Sequence, residues 1–346
     1  MDFSLFFFAD SAARGDCYRL LLACARFADA NGFAAVWTPE RHFHPFGGRY
    51  PNPAVVGAAL ATATQRVGIR AGSVVAPLHH PVRIAEEWSV VDNLSGGRVG
   101  VAFASGWHAA DFVLRPENYP DRKAVMVDTL DSVRRLWRGG EVEFPDAAGG
   151  RRAVRVYPAP VQRELPVWIT SGGTPDTFRA AARLGAGVLT HQLSQSHDGL
   201  AQNIAAYRSE LAAVSGTGAR GHVSVMLHTM IGTDRDEVRE VVREPFSEYL
   251  SSSMDLLARD SVGVDLDRLS PANRAALVAR SFDRYFDSAG LFGSVDDGMA
   301  VVRRLADAGV DEIACLVDFG VAEERVLASL EHLGALRHAA AGATVS

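Results

Sequence analysis

Residues 67–107 read "VGIRAGSVVAPLHHPVRIAEEWSVVDNLSGGRVGVAFASGW", and this stretch decides the fold class. An apolar, β-branched run over 67–76 gives way at Pro81 to text of helical periodicity. That text stops at Gly96 and Gly97, and a second apolar run follows over 98–104. Proline suits a first helical turn, where its missing N–H is not needed, and glycine suits the position just past the last turn, where φ is positive. Two strands joined by a helix lie parallel, so the stretch is one βα unit followed by the next strand.

The same rhythm runs outward in both directions. Candidate strands occupy 3–8, 34–38, 67–76, 98–104, 167–171, 187–191, 223–232 and 312–317, eight in all. Helical text lies between them, such as "CYRLLLACARFADANG" over 17–32 with its Asn-Gly stop and "TPDTFRAAARLGAG" over 174–187 with proline in its first turn. Eight strands alternating with about eight helices predict a (β/α)8 TIM barrel, ahead of an open doubly wound sheet. The 346 residues are long for one core, yet barrels run longer than other domains, so 1–340 is expected to be a single unit. Two insertions absorb the extra length. Residues 141–160 read as a hairpin with an "AAGG" turn, and 237–293, helical text around a polar break between strands seven and eight, is expected to wall or cover a pocket.

Composition excludes several classes. With 35 basic and 41 acidic residues the formal charge is −6, which lacks the clustered positive charge that nonspecific nucleic-acid binding needs. Lys123 is the one lysine, and no "GxxxxGK" precedes it, so Schiff-base, pyridoxal and P-loop chemistry are disfavoured. Cys17, Cys24 and Cys315 are isolated, which supports neither a disulfide framework nor a cysteine zinc site and suits a reducing compartment. The opening "MDFSLFFFADS" has no basic start and only a short apolar run, and no stretch is long enough for a membrane span. A cytoplasmic protein without a membrane or nucleic-acid partner is expected.

Active sites of barrels lie at the C-terminal ends of the strands. Strand two runs into "TPERHFHPFGG", which places Glu40, Arg41, His42 and His44 there as acid, base or ligand candidates, or as loop charges that pair with each other. A metal reading of "HxH" is disfavoured because strand one ends in Asp10 and offers no histidine. In strand three Gly72 and Ser73 admit a flat ligand or serve a bend in the barrel. His79 and His80 precede the next helix, with His80 read as structural. Strand four leads to Ser105, Gly106, Trp107, His108 and Asp111, where Trp107 either packs or stacks on a planar cofactor. Strand five runs into Ser171-Gly172-Gly173-Thr174 and a helix N-terminus, a place for a phosphate or for simple capping by Thr174. "GxGxxG" is absent, so a flavin or sugar phosphate fits better than NAD. His191, Gln195 and His228 read as packed polar groups, and Asp318 after strand eight is open between the two readings.

In this order the blocks "PERHF", "AGSVVAPLHHPVRIAEE", "DNLSGGRVGVAFASGW" and "TSGGTPDTFRAAARLGAGVLTH" resemble the bacterial luciferase superfamily of flavin-dependent monooxygenases. The text of the long insertion is similar to members found with nonribosomal-peptide and polyketide assembly lines. The resemblance implies FMN across the barrel mouth, with Gly72 and Ser73 forming a cis peptide behind the flavin ring. Ser105 and Gly106 would contact the flavin, and Arg122, Ser171, Gly172, Gly173 and Thr174 would hold its phosphate. Where luciferase has an arginine in the strand-four loop this chain has Ser105, which leaves the phosphate to Arg122 and the "SGGT" amides. Where luciferase has two successive histidines after the glutamate this chain has Arg41 and then His42, so His42 or His44 is expected in the catalytic role, with Glu40 orienting it. Trp107 and His191 would line the substrate pocket. The resemblance further implies reduced FMN as cosubstrate from a separate flavin reductase, a C4a-peroxyflavin, and a homodimer. The product would be a hydroxylated, N-oxygenated or Baeyer-Villiger-inserted natural-product intermediate, free or carrier-bound. A deazaflavin- or flavin-dependent dehydrogenase of the same superfamily and a noncatalytic flavin-binding protein are the alternatives.

Overall fold

A computed structural model describes residues 1–8, 18–193, 195–216, 218–260 and 270–342 of the chain. Asp10 and Cys17 lie outside the described residues. Eight parallel strands close into a barrel: β1 (Asp2–Phe6), β2 (Ala35–Thr38), β3 (Gly68–Val75), β4 (Val99–Ala104), β7 (Val167–Thr170), β8 (Gly187–His191), β9 (Val223–Ile231) and β11 (Glu312–Leu316). β8 pairs with β9, β9 with β11, and β11 with β1, where Leu5 lies opposite Cys315. All eight expected strands are present, each shorter by one or two residues except β8, which has the expected bounds.

Helices α1 (Arg19–Ala30), α2 (Pro53–Ala63), α3 (Pro81–Ser95), α4 (Arg122–Trp137), α5 (Pro175–Arg183) and α6 (His197–Ser215) cover the outside. Their ends follow the sequence signals. Asn52 caps α2 by accepting from the amides of Ala54 at 2.9 Å and Val55 at 3.1 Å, and α3 ends at Gly96 with φ of 68°. Helices α9 (Val295–Asp307) and α10 (Glu323–Gly342) complete the ring. Among the described residues no helix is long and apolar enough to cross a membrane.

The N-terminal end of the barrel is filled. Trp37 and Trp168 meet edge to face at 5.1 Å, and the Arg70 guanidinium lies 5.0 Å from the first ring and 4.6 Å from the second. Arg70 donates to Glu312 Oε2 at 2.6 Å, while Glu312 Oε1 accepts from Trp37 Nε1 at 2.9 Å and from Ser4. Burial alone would raise the Glu312 carboxyl, but Arg70, then His222 and the Ser4 and Trp37 hydrogen bonds, outweigh it and hold it below the usual carboxylate range. Gly187 makes room for this layer, since a Cβ there would lie 2.5 Å from the Trp168 ring. The floor is therefore closed, and chemistry is left to the C-terminal mouth.

Two segments lie outside the strand–helix alternation of the barrel. β5 (Val142–Pro145) and β6 (Arg151–Val154) form an antiparallel hairpin whose Phe144 packs on His80 at 4.6 Å. Between β9 and β11 lie α7 (Arg235–Asp260), α8 (Pro271–Ser288) and a short strand, β10 (Leu291–Gly293), which pairs in parallel with the overshooting end of β9. A cation–π ladder staples α7 to α8: Arg235 and Arg239 each lie 4.8 Å from the Phe286 ring and Arg243 lies 5.2 Å from Phe282. Arg239 also pairs with Asp283 at 2.5 Å, and Tyr285 reaches across to donate to the Leu193 carbonyl at 2.9 Å.

Candidate active site at the barrel mouth

Glu40 follows β2 directly, and its side chain is fully buried. Its Oε1 accepts from His42 Nε2 at 2.8 Å and from His79 Nε2 at 2.5 Å, and its Oε2 accepts from the Val75 amide at 2.7 Å. Burial alone would raise this carboxyl, but the two imidazoles and the amide outweigh it and hold it below the ordinary range. The same contact works in reverse on His79: burial would lower it, yet the Glu40 hydrogen bond and charge raise it above a free imidazole. Two loops, after β2 and after β3, are thereby tied through one oxygen.

Arg41 turns the other way. It pairs with Asp111 Oδ2 at 3.0 Å, with both side chains buried, and Asp111 Oδ1 takes His108 Nδ1 at 3.0 Å. The Trp107 ring covers the guanidinium at 5.1 Å and stays 48% exposed at the rim. Arg41 and Asp111 thus join the loop after β2 to that after β4. His44 turns its Nδ1 to the Phe46 amide at 3.1 Å.

Beside this cluster, on β3 next to β2, lies a shelf of small residues. The Gly72–Ser73 peptide is cis, and Ser73 shares a hydrogen bond of 2.6 Å with Thr170 at the end of β7. A Cβ on Gly72 would lie 2.7 Å from the Phe6 ring, so packing beneath the shelf demands glycine. Beyond Ser105, Gly106 has φ of 75°, and its carbonyl accepts from Arg122 Nε at 3.1 Å. Arg122 also donates to the Tyr119 carbonyl at 3.1 Å and lies 4.7 Å from that ring, which fixes the guanidinium beside the strand-four loop.

The turn after β7 is held from below: Ser171 Oγ accepts from Gly173 N at 3.2 Å, and the Gly173 carbonyl accepts from Asn203 at 2.9 Å. A Cβ on Gly172 would meet nothing within 4 Å, so the space over the turn is open. Thr174 precedes α5 but does not cap it through its side chain; its hydroxyl pairs with that of Thr177 at 2.8 Å. The open turn, the helix N-terminus and Arg122 fit a phosphate, and the glycine shelf fits a flat ring system, so the residues present fit FMN.

His191 and His228 project from β8 and β9. Burial pushes His191 down to about 4, and burial with His191 nearby pushes His228 down to about 3, so both are neutral at physiological pH. His228 sits among Phe246 and Tyr249 at 4.6 Å and Phe319 at 5.6 Å, with Nε2 unpartnered. His80 caps α3, as its reading as structural expects. His79 and Thr170 are the members of this mouth that the sequence reading did not single out. The "LHHP" text signals a histidine there, but which of the two turns inward depends on the short helical turn over 76–78. Among the described residues no three metal-ligating side chains gather.

The family model described as luciferase-like monooxygenase matches residues 1–312. The oxygenase component of a flavin-dependent trigonelline monooxygenase from Acinetobacter baylyi is 23% identical, over 96% of this chain and 93% of that protein. Among solved structures, monooxygenase RslO1 from Streptomyces bottropensis superposes with a TM-score of 0.79 at 22% identity, over 97% of this chain and 98% of that one. The oxygenating constituent of 3,6-diketocamphane monooxygenase from Pseudomonas putida, a type II Baeyer-Villiger enzyme in complex with FMN, gives 0.77 at 17% identity over 98% of both chains. The coenzyme F420 dependent tetrahydromethanopterin reductase of Methanopyrus kandleri shares the fold with a TM-score of 0.72 at 15% identity, over 95% of this chain and 96% of that one.

Proposed function

This chain belongs to the luciferase-like monooxygenase family, a family of flavin-dependent oxidoreductases, and from that premise we propose that it is the FMN-using oxygenase of a two-component system. A separate reductase supplies reduced FMN, and the product is a hydroxylated, N-oxygenated or Baeyer-Villiger-inserted natural-product intermediate, taken free or on a carrier protein. One observation carries the reading: a buried acid–base cluster, Glu40 with His42, shares the mouth with a glycine shelf and with an open turn at the start of a helix that lacks a side-chain cap.

Bound FMN supplies the activation of oxygen. The protein's part is binding, shielding and proton control. Gly72 and Ser73 support the ring system, with Ser105 and Gly106 beside it, while Arg122, Ser171, Gly172, Gly173 and Thr174 hold the phosphate. Because Glu40 is a carboxylate, His42 donates to it from Nε2, which leaves Nδ1 as the nitrogen through which the ring would exchange a proton. His42 is the acid–base residue in this reading, with His44 as its reserve in the same loop. Trp107, His191 and the α7–α8 insertion line the substrate side and exclude water.

The chain acts in the cytoplasm, where the buried thiols of Cys24 and Cys315 stay reduced, and residues 1–340 work as one unit. It pairs as a homodimer through α2 and α3, which lie side by side and leave Val55, Val90 and Leu94 exposed. The test is rapid mixing of the protein, loaded with reduced FMN, with oxygenated buffer. A flavin absorbance transient distinct from the oxidised and reduced forms supports the oxygenase. Hydride transfer to F420 without oxygen uptake supports a dehydrogenase, and tight flavin with no reaction supports a binding protein.

A further inference from the structure

Glu40 is a charge sealed from water, and a buried carboxylate is costly unless a cation offsets it. Arg41, next in the chain, is committed to Asp111. What reaches Glu40 is the Val75 amide and two imidazoles, both on the same oxygen and both through Nε2. Two neutral rings would satisfy the hydrogen bonds and leave the charge. One extra proton, shared between His42 and His79, satisfies both, and the rings compete for it.

The surroundings favour His79. Glu40 and, from α3, Glu87 stabilise its imidazolium, with Arg115 opposing, and its side chain is 26% exposed against 12% for His42, so the cation keeps contact with water. The His42 ring lies against Phe43 at 5.6 Å. We infer that His79 is a positioning residue that holds the shared proton on the Glu40 carboxylate and thereby keeps His42 neutral, ready to accept a proton at Nδ1. When His42 takes a proton from the reacting centre, an N–H bond forms at its Nδ1 and the cluster carries one positive charge too many. His79 then loses its Nδ1 proton to solvent, and the charge of the cluster is restored. The net change is one proton moved from the reacting centre to water.

This inference rests on the reading of His42 as the acid–base residue, and its test separates the two. Ring-labelled histidine NMR on the flavin-free protein follows His42 against pH. A coupled pair titrates in two steps, so the wild-type His42 ring signal should move in two and that of His79→Gln, which keeps an N–H donor for Glu40 but cannot carry the proton, in one. With reduced FMN as the probe, the proton-dependent phase of its oxidation by loaded His79→Ala should slow by about tenfold and recover in imidazole buffer, while FMN affinity stays within about twofold. A single His42 step common to wild type and His79→Gln, or an unslowed phase in His79→Ala, overturns the inference. Two-step behaviour without any oxygenation upholds the shared proton and counts only against the monooxygenase reading.

Discussion

A carboxylate buried with two imidazoles on one oxygen concentrates the acid–base chemistry of this mouth in a few atoms, and His42, in the same loop as Glu40, is its proposed acid–base member. His42→Ala should therefore slow the reaction of the loaded protein by about a hundredfold, the usual scale for losing a general acid or base, with reduced-FMN affinity nearly unchanged. Stopped-flow rates and flavin titration check this, and an unchanged rate removes His42 from the role. His228 makes a different prediction. Its folded-state pKa lies near 3, below that of a free imidazole, so on acidification the unfolded chain takes up the proton first. The stability this group contributes is complete above about pH 6.5 and drains away as pH falls toward 3, by about 1.4 kcal/mol per unit. Urea midpoints between pH 7 and 5 should fall more steeply in wild type than in His228→Phe, and parallel curves would refute the assignment. At this scale the sequence showed residue types but not their aim. Glu40 and His42 were legible because a strand end brings them to the mouth together. His79 was not, because only the turn before α3 separates it from His80, which caps that helix.

At the scale of elements, the strands were legible because each is an apolar run with punctuation at both ends. β10 was not: three residues between α8 and α9 make a strand only because β9 overruns the barrel and offers them an edge. The path of α7 and α8 was equally hidden, since their packing depends on arginines spaced by four along α7 meeting Phe282 and Phe286 of a helix remote in sequence. The barrel floor depends on a strand glycine. Gly187→Ala would push a methyl into Trp168 and toward the His222 carbonyl at 2.8 Å. The expected cost is about 1–3 kcal/mol, read as a lower urea midpoint; an unchanged midpoint would mean that Trp168 has room to move.

For the molecule as a whole, a closed floor leaves the C-terminal mouth as the place for chemistry. The proposed dimer adds a wall on the outside of the barrel, away from the mouth. Val55→Glu combined with Leu94→Glu should convert a dimer to a monomer by light scattering while leaving the circular dichroism spectrum intact, and a mass unaffected by both charges would place the interface elsewhere. The central claim, that this mouth uses reduced FMN to activate oxygen, is tested most directly by stopped-flow mixing of the FMN-loaded, reduced protein with oxygen. A flavin transient that forms quickly and outlasts the autoxidation of free reduced FMN is expected. Reoxidation in one phase at the rate of free FMN, with no transient, would contradict it.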